Sequence, residues 1–562
     1  MSETYFNLGS YHCPVTTSSP QAQAWFDRGL IWSYAFNHEE AIACFQRAID
    51  ADPTCAMAYW GLAYAIGPNY NKPWGFFDEK ELKQVVYRGY HAAQSALAHI
   101  EQASPLEAAF VKAIQARYPD EVPVKTFEEW NASFAEEMKS VQRDFPQSLD
   151  VATIYADALM NLKPWQLWSL ETGEPTEGAP TLEVKQIIDD ALAGIPGALG
   201  HPGLLHLYIH LMEMSPSPES ALPIANRLRG LVPDGGHLQH MPTHLDILCG
   251  KYEDAITWNT AAIAADEKYV KEVGPLNFYT LYRSHDYHFC VYAAMFSGKF
   301  QVAIDTTAKL EASIPESLLR VESPPMADWL EAFLSLRAHV LIRFGRWDDI
   351  ISLQIPENQG LYAMTTAITH YAKGVAFAAK GNVDEASNQQ QLFEQAVGRV
   401  PESRTLFNNT CLDILAIARE MLKGELLYRQ RLFDAAFESL RSAIHLEDNL
   451  PYDEPWGWMQ PTRHAYGALL LEQGHVEQSL EVYRADLGLS ETLPRALRHP
   501  NNVWGLHGAH ECFLKLGRDA EARDLEPLLS RATAGADVPI YASCFCRRAD
   551  GHQGSVTCGG RN

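Results

Sequence analysis

Eight of the 21 histidines in this 562-residue chain fall between His201 and His288, a stretch that would hold roughly three at the chain average. They are His201, His206, His210, His237, His240, His244, His285 and His288. Their phasing says more than their number. A small residue recurs at Ala221, Ala255 and Ala303, and His206, His240 and His288 each precede one of these by 15 residues. His210 and His244 follow four residues after two of them, and His237 and His285 stand three residues before two. Residues at helical i, i+3/i+4 spacing share one face, and an i, i+4 pair has Cβ atoms roughly 5–6 Å apart, near enough for both imidazoles to reach one ion.

Neutral imidazole ligates transition metals, and a protonated cluster without counter-charge would repel itself. The spacing therefore points to a metal site with His206, His210, His237, His240, His244, His285 and His288 as the ligand pool. That pool serves one ion with residues to spare, or two ions at about three imidazoles each. His201, opening His201-Pro202-Gly203, reads equally well as a ligand or a helix cap. Carboxylates look scarce here, with Glu213 one turn beyond His210 and Asp246 just after His244, which disfavours Mg²⁺ and Ca²⁺. Imidazole-rich sites suit zinc, copper, iron and nickel, and an all-histidine set on helices is closer to copper–oxygen chemistry than to the His₂-Glu set of zinc peptidases. No His-Glu-x-x-His motif occurs. Copper is the expected cofactor, as one or two ions, with iron or zinc as alternatives. Glu213 and Asp157 are the candidate catalytic carboxylates, as a base or as orienters of a ligand. Tyr208, Tyr287 and Tyr292 are near in sequence, although helical spacing turns Tyr208 off the histidine face. His38, His339, His370 and His475 read as structural, and His464 and His507 keep the 15-residue phase but lie far along the chain.

Helical hairpins must position these side chains. Trp25, Gly29, Trp32, Ala41, Phe45, Ala48 and Pro53 have the small/large spacing by which one helix packs into the next, and this resembles a tetratricopeptide repeat. A turn signature recurs as Gly250-Lys251-Tyr252-Glu253-Asp254-Ala255, Gly298-Lys299-Phe300-Gln301-Val302-Ala303 and Gly345-Arg346-Trp347-Asp348-Asp349-Ile350. Weaker copies end at Ala221, Ala386, Ala436, Ser479 and Ala522, and Ala221 to Ala255 spans 34 residues, one period of such a repeat. Strand signals are nearly absent. The expected fold is all-α, a tetratricopeptide-like solenoid of helical hairpins in a right-handed superhelix with a concave central groove. The expected organisation is an N-terminal repeat over 1–73, a divergent helical region over 74–200, the histidine-rich repeats over 201–322, further repeats over 323–532 and a cysteine-containing tail over 533–562. Because first helices of such repeats line the concave face, the resemblance implies that the seven imidazoles converge in one groove. The segment from Pro451 to Pro461 is too aromatic for a linker and reads as a packed loop over that groove.

Nearly the whole chain also resembles a family of bacterial and fungal tetratricopeptide-repeat domain proteins. The matching segments are Trp25-Phe26-Asp27-Arg28-Gly29-Leu30, Phe36-Asn37-His38-Glu39-Glu40-Ala41, Ala56-Met57-Ala58-Tyr59-Trp60-Gly61, Gly67-Pro68-Asn69-Tyr70-Asn71 and Asp157-Ala158-Leu159-Met160-Asn161. Then come His201-Pro202-Gly203 with His206, Tyr208, Ile209 and His210, Gly236-His237-Leu238-Gln239-His240-Met241-Pro242-Thr243-His244, His285-Asp286-Tyr287-His288-Phe289, and Glu454-Pro455 with Trp458. This chain departs in Leu204-Leu205 and in Asp286, where the family commonly has Asn. The resemblance implies that the histidine blocks belong together and carries no settled reaction.

With Lys+Arg 45 against Asp+Glu 70, the formal charge is −25, which repels nucleic acid and anionic lipid. The start, Met-Ser-Glu-Thr-Tyr-Phe-Asn-Leu-Gly, shows neither a secretory nor a transit pattern, so a cytoplasmic protein is expected. The ten cysteines are scattered apart from Cys544, Cys546 and Cys558, so no disulfide framework is expected, and those three read as soft metal ligands or as an idle thiol cap. Phosphate-loop, nucleophile-elbow and dinucleotide fingerprints are absent. The leading expectation is an O₂-activating, copper- or iron-dependent oxidoreductase on a small-molecule substrate, entering past loops near Trp74, Trp165 and Trp456. A zinc-dependent hydrolase and a non-catalytic peptide-binding scaffold are the alternatives.

Overall fold

The Ser19 hydroxyl accepts from Ala22 N at 3.2 Å and Pro20 fills the first helical position, so the chain enters the helix Pro20–Tyr34 with a capped end. Asn37 caps the partner helix His38–Ala51 in the same manner, and Ala56–Ile66 follows. The small/large spacing has a plain physical basis. Phe45 inserts between the first and third helices, where a Cβ on Gly29 would stand 2.8 Å, and one on Gly61 2.3 Å, from its ring. The computed structural model describes residues 5–547.

Helices continue through the divergent region as Glu79–Ala98, Pro105–Ala113, Glu128–Asp144, Leu149–Met160 and Thr181–Gly194. From there hairpins repeat to Asp519–Gly535. The turn signature marks helix ends that need a left-handed residue: φ is +68° at Gly250, +71° at Gly298 and +62° at Gly345. Arg431 holds the equivalent place before Ala436 at φ +65°, without the freedom of glycine. Among the described residues the strands are confined to the antiparallel pair Thr405–Leu406 and Asn409–Thr410. The chain is thus an all-α helical solenoid. No described helix is long and apolar enough to cross a membrane.

One apolar core runs from Leu8 to Trp504. Distant turns touch through it: Trp504 Nε1 donates to Met295 O at 2.7 Å, and Phe278 N to a Glu39 carboxylate oxygen at 3.0 Å. The Pro451–Pro461 segment packs inward, with Tyr452, Trp456 and Trp458 all buried. Near its start the chain is tied down by Asn7, whose N–H donates to Asp234 while its carbonyl accepts from Asp234 N. The region expected to be a tail folds back. Asp537 accepts from Phe300 N and Gln301 N at 2.6 and 2.8 Å, and Ser543 donates to His464 O at 3.0 Å. Cys544 and Cys546 are joined as a disulfide, which corrects the expectation of free thiolates at these two positions. Cys558 lies outside the described residues.

Candidate metal centre

The histidines come from four short stretches of helix packed around one point. Pro202–Glu213 carries His206 and His210, Gly236–His240 carries His237 and His240, Pro242–Leu248 carries His244, and Thr280–Phe296 carries His285 and His288. Pro202 and Pro242 each stand in the first turn of their helices, where a missing N–H costs nothing. Every one of the seven imidazoles is buried, from 0% exposed at His210 to 8% at His285.

Six of them form two triads. His206, His210 and His237 bring one nitrogen each within 4.8 Å of one another, and so do His240, His244 and His285. The triads adjoin, with ring centroids 5.7 Å apart for His237 and His240 and 5.9 Å for His210 and His244.

The outward nitrogens fix the tautomers. His206 Nδ1 lies 2.6 Å from Tyr34 O, an obligate acceptor, so it carries the proton and Nε2 is left with a lone pair. Asn259 donates its amide hydrogens to Thr243 Oγ1 and Ala255 O, so its Oδ1, 2.7 Å from His240 Nδ1, must accept. Glu213 spans both triads, with Oε1 3.0 Å from His210 Nδ1 and Oε2 2.7 Å from His244 Nδ1. A second carboxylate, Glu454 Oε2, approaches His244 Nδ1 at 2.6 Å. Histidines that ligate metals usually have such an acceptor on the far nitrogen.

At His206, and at His210 where Glu213 accepts, the inward Nε2 then carries a lone pair. His206 Nε2, His210 Nε2 and both His237 nitrogens are buried without a partner. In the second triad His240 Nε2 and His244 Nε2 stand 2.8 Å apart, and His285 Nε2 is 3.3 Å from His244 Nε2. Asn259 fixes the proton on His240 Nδ1, and where an ionised Glu213 accepts from His244 Nδ1 the two Nε2 lone pairs face each other, a repulsion that a cation between them would remove. Imidazoles around one tetrahedral ion at about 2.0–2.1 Å have neighbouring nitrogens about 3.3 Å apart, close to these spacings. Burial pushes the imidazole pKa values down, to about 3 at His210, His240 and His288. At His237, His244 and His285 neighbouring imidazoles add to that burial effect. Neutral, unprotonated rings are the ligand form.

The carboxylates change one expectation. They are not scarce around the imidazoles: Glu213, Glu454 and Asp286 are all buried there, and Asp286 Oδ1 lies 3.4 Å from His240 Nδ1. Asp246 is not among them, since Arg229 holds both its oxygens at 2.7 Å. Burial raises the pKa of Glu213, Glu454 and Asp286 well above the carboxylate range. The hydrogen bonds of Glu213 place it on the Nδ1 side, so the nitrogen-rich character of the two inner donor sets persists.

Three other expected residues sit apart. Asp157 accepts from Tyr64 OH at 2.8 Å and Asn161 Nδ2 at 3.0 Å, and none of its hydrogen bonds reaches the seven imidazoles. His288 keeps the 15-residue phase yet faces Phe333 and Phe407, with centroids at 5.4 and 6.3 Å, outside both triads. His201 is a cap: its Nδ1 accepts from Leu204 N at 3.0 Å, and its Nε2 lies 3.2 Å from Asp150. His464 is held between Arg343 and Asp486. Of the expected loop tryptophans, Trp165 reaches His210 at 5.6 Å, whereas Trp74 stacks on Phe127 and Trp456 donates to Ala496 O.

Sequence reasoning did not single out the aromatic caps. Phe36 lies 4.4 Å from His206 and stacks on His210 and His237, and Phe407 lies 4.8 Å from His285. Among the described residues five non-glycine residues have positive φ, and three of them are Phe36, Trp165 and Phe407. For bulky side chains this is a strained conformation, of order 1–3 kcal/mol each, and such strain concentrates at functional sites.

Comparison with known proteins agrees at the level of the repeat. The tetratricopeptide-repeat family matches residues 22–55. No curated protein matches the chain. Solved structures that resemble it include the anaphase-promoting-complex hetero-tetramer Cut9–Hcn1, at 14% identity and TM-score 0.31, covering 91% of this chain and 76% of that one. Yeast Tom70 is 13% identical at TM-score 0.28, covering 91% and 98%, and Naa15/Naa10 bound to HypK is 13% identical at TM-score 0.24, covering 91% and 70%.

Proposed function

We propose that the chain is a dinuclear metalloenzyme in which His206, His210 and His237 hold one transition-metal ion and His240, His244 and His285 hold a second. The observation that carries this reading is the pair of buried imidazole triads, in which His206, His210, His240 and His244 have a polar partner at Nδ1. Donor sets of three imidazoles suit copper first, then iron or zinc. A copper or iron pair would supply O₂ activation toward a small organic substrate. Around it the protein's own groups hold fixed positions: Tyr34 O, Asn259, Glu213 and Glu454 orient the rings, and the aromatic caps exclude water. Glu213, joined to one ring of each triad, couples their orientations and is the group placed to store a proton between them.

Elemental analysis of freshly purified protein tests the proposal. Two equivalents of copper are expected, falling to one in His206→Ala and in His240→Ala. Zinc alone in a colourless protein would replace the oxidoreductase reading with a zinc-dependent hydrolase, in which bound water has its pKa lowered toward neutrality. A metal-free protein that captures an extended peptide would establish a scaffold and end the enzymatic reading.

A further inference from the structure

A cavity of about 350 Å³ opens on the side of the molecule next to the first triad. That volume lies at the lower end of the range for small-molecule sites. Its apolar lining comes from Phe36, Ile42, Ile66, Phe77, Val85 and Phe278. Phe36 is also the side chain packed on His206, His210 and His237, so one aromatic ring separates the cavity from those imidazoles.

The polar lining of the cavity combines engaged groups with three donors that lack an acceptor among the described residues. Asn37, beside Phe36 and 1% exposed, uses Oδ1 to cap Glu40 N, while its Nδ2 has no partner. At the open edge Lys80 and Arg88 are exposed cations that no carboxylate among the described residues pairs with. Lys72 is already committed, donating to Glu81 at 2.5 Å and lying 4.2 and 4.0 Å from the Phe77 and Phe278 ring centres. Glu39 is likewise occupied, accepting from Phe278 N. Glu81 keeps one oxygen without a partner, but Lys72 balances its charge. Lys80 shares this rim with Asp78, Glu79 and Glu322, so the edge is of mixed sign and, among the described residues, only Lys80 and Arg88 of its cations lack a carboxylate partner.

We infer that this cavity is the substrate chamber for small aromatic carboxylates carrying a hydrogen-bond acceptor at the far end, with Phe36 as the partition between the chamber and the first imidazole triad. The carboxylate meets Lys80 and Arg88 at the rim, the ring packs on the phenylalanines, and the acceptor reaches Asn37 Nδ2. At φ +55° Phe36 occupies a conformation natural to glycine, so Phe36→Gly removes the partition and relieves the backbone at once.

The inference rests on the proposed metal centre for its purpose but is tested without metal. Chelator-treated full-length protein is titrated calorimetrically with 4-hydroxyphenylacetate and with its neutral amide. The acid should bind about tenfold more tightly than the amide, and Lys80→Glu with Arg88→Glu should abolish that preference without changing affinity for the amide. Separately, carbethoxylation of histidines is followed by mass spectrometry. Phe36→Gly should speed modification of His206, His210 and His237 by about tenfold or more while leaving His240, His244 and His285 at the wild-type rate. Equal affinity for acid and amide, or no binding of either, overturns the chamber. Unchanged or equal acceleration at both triads overturns the partition. Loss of the metal proposal alone would leave all four measurements unaltered.

Discussion

Glu213→Ala removes one carboxylate from two imidazoles that are not equally dependent on it. Glu213 is 0% exposed and accepts from His210 Nδ1 at 3.0 Å and His244 Nδ1 at 2.7 Å. Glu454 Oε2 stands 2.6 Å from His244 Nδ1 without a hydrogen bond of its own, so it is positioned to replace Glu213 there, whereas Glu213 supplies the hydrogen bond at His210 Nδ1. Loss of such an outer partner typically weakens metal binding about 10–100-fold, or about 1.4–2.7 kcal/mol. The expected loss is therefore near the upper end for the His206, His210 and His237 site and near the lower end for the His240, His244 and His285 site. Competition titration of metal-free protein with copper(II) against a chelator of known affinity resolves the two sites. Glu213→Gln is the companion variant: its amide oxygen still serves His210, so its loss at the first site should be smaller. Because burial drives the Glu213 carboxyl toward its neutral form, Glu213→Gln, which puts a neutral group of the same shape there, should leave the melting temperature of the metal-free protein unchanged or higher. Equal losses at both sites, or a larger loss at the second, would refute the assignment of outer partners. A marked fall in metal-free stability with Glu213→Gln would refute the electrostatic argument.

Three further outcomes follow from the geometry. His288→Ala should leave the bound metal at two equivalents by elemental analysis while lowering stability by about 1–3 kcal/mol in urea unfolding, because that ring packs among phenylalanines. Metal-free protein should lose stability as pH falls from about 6.5 to about 3, the interval in which the unfolded chain protonates histidines that the folded chain keeps neutral. For His210, His240 and His288, whose folded values lie near 3, each contributes a slope of about 1.4 kcal/mol per pH unit, read from urea midpoints across the range. Gly61→Ala should cost about 1–3 kcal/mol by the same method, since its Cβ would lie 2.3 Å from the Phe45 ring.

The helical repeat was legible because its signals are local. Glycine at a left-handed helix end and a phenylalanine seated against two glycines leave marks a few residues apart. The register of His206, His210, His237, His240 and His244 was legible for the same reason, since the turn spacing acts as a ruler over one 34-residue period. His288 keeps the same distance from its turn yet packs against Phe333 and Phe407, contacts from other parts of the chain that the turn spacing does not announce. Asp157 shows the converse limit. Its proximity within a family-like segment did not reveal that Tyr64, 93 residues away, would engage its carboxylate. Glu454 was out of reach for a local reading, because it joins His244 from a loop more than two hundred residues downstream.

The straps at both ends alter how such an array should come apart. Stacked hairpins ordinarily fray from their termini, each unit leaning only on its neighbour. Here Asn7 clasps Asp234, and Asp537 clasps the amides that begin the helix at Phe300, so the outermost segments are fastened to the middle of the chain. Peeling either end exposes no free hairpin until bonds across more than two hundred positions have parted. Opening at either place thus carries the added cost of bonds to mid-chain segments, about 1 kcal/mol for each, beyond what a neighbouring hairpin alone would impose.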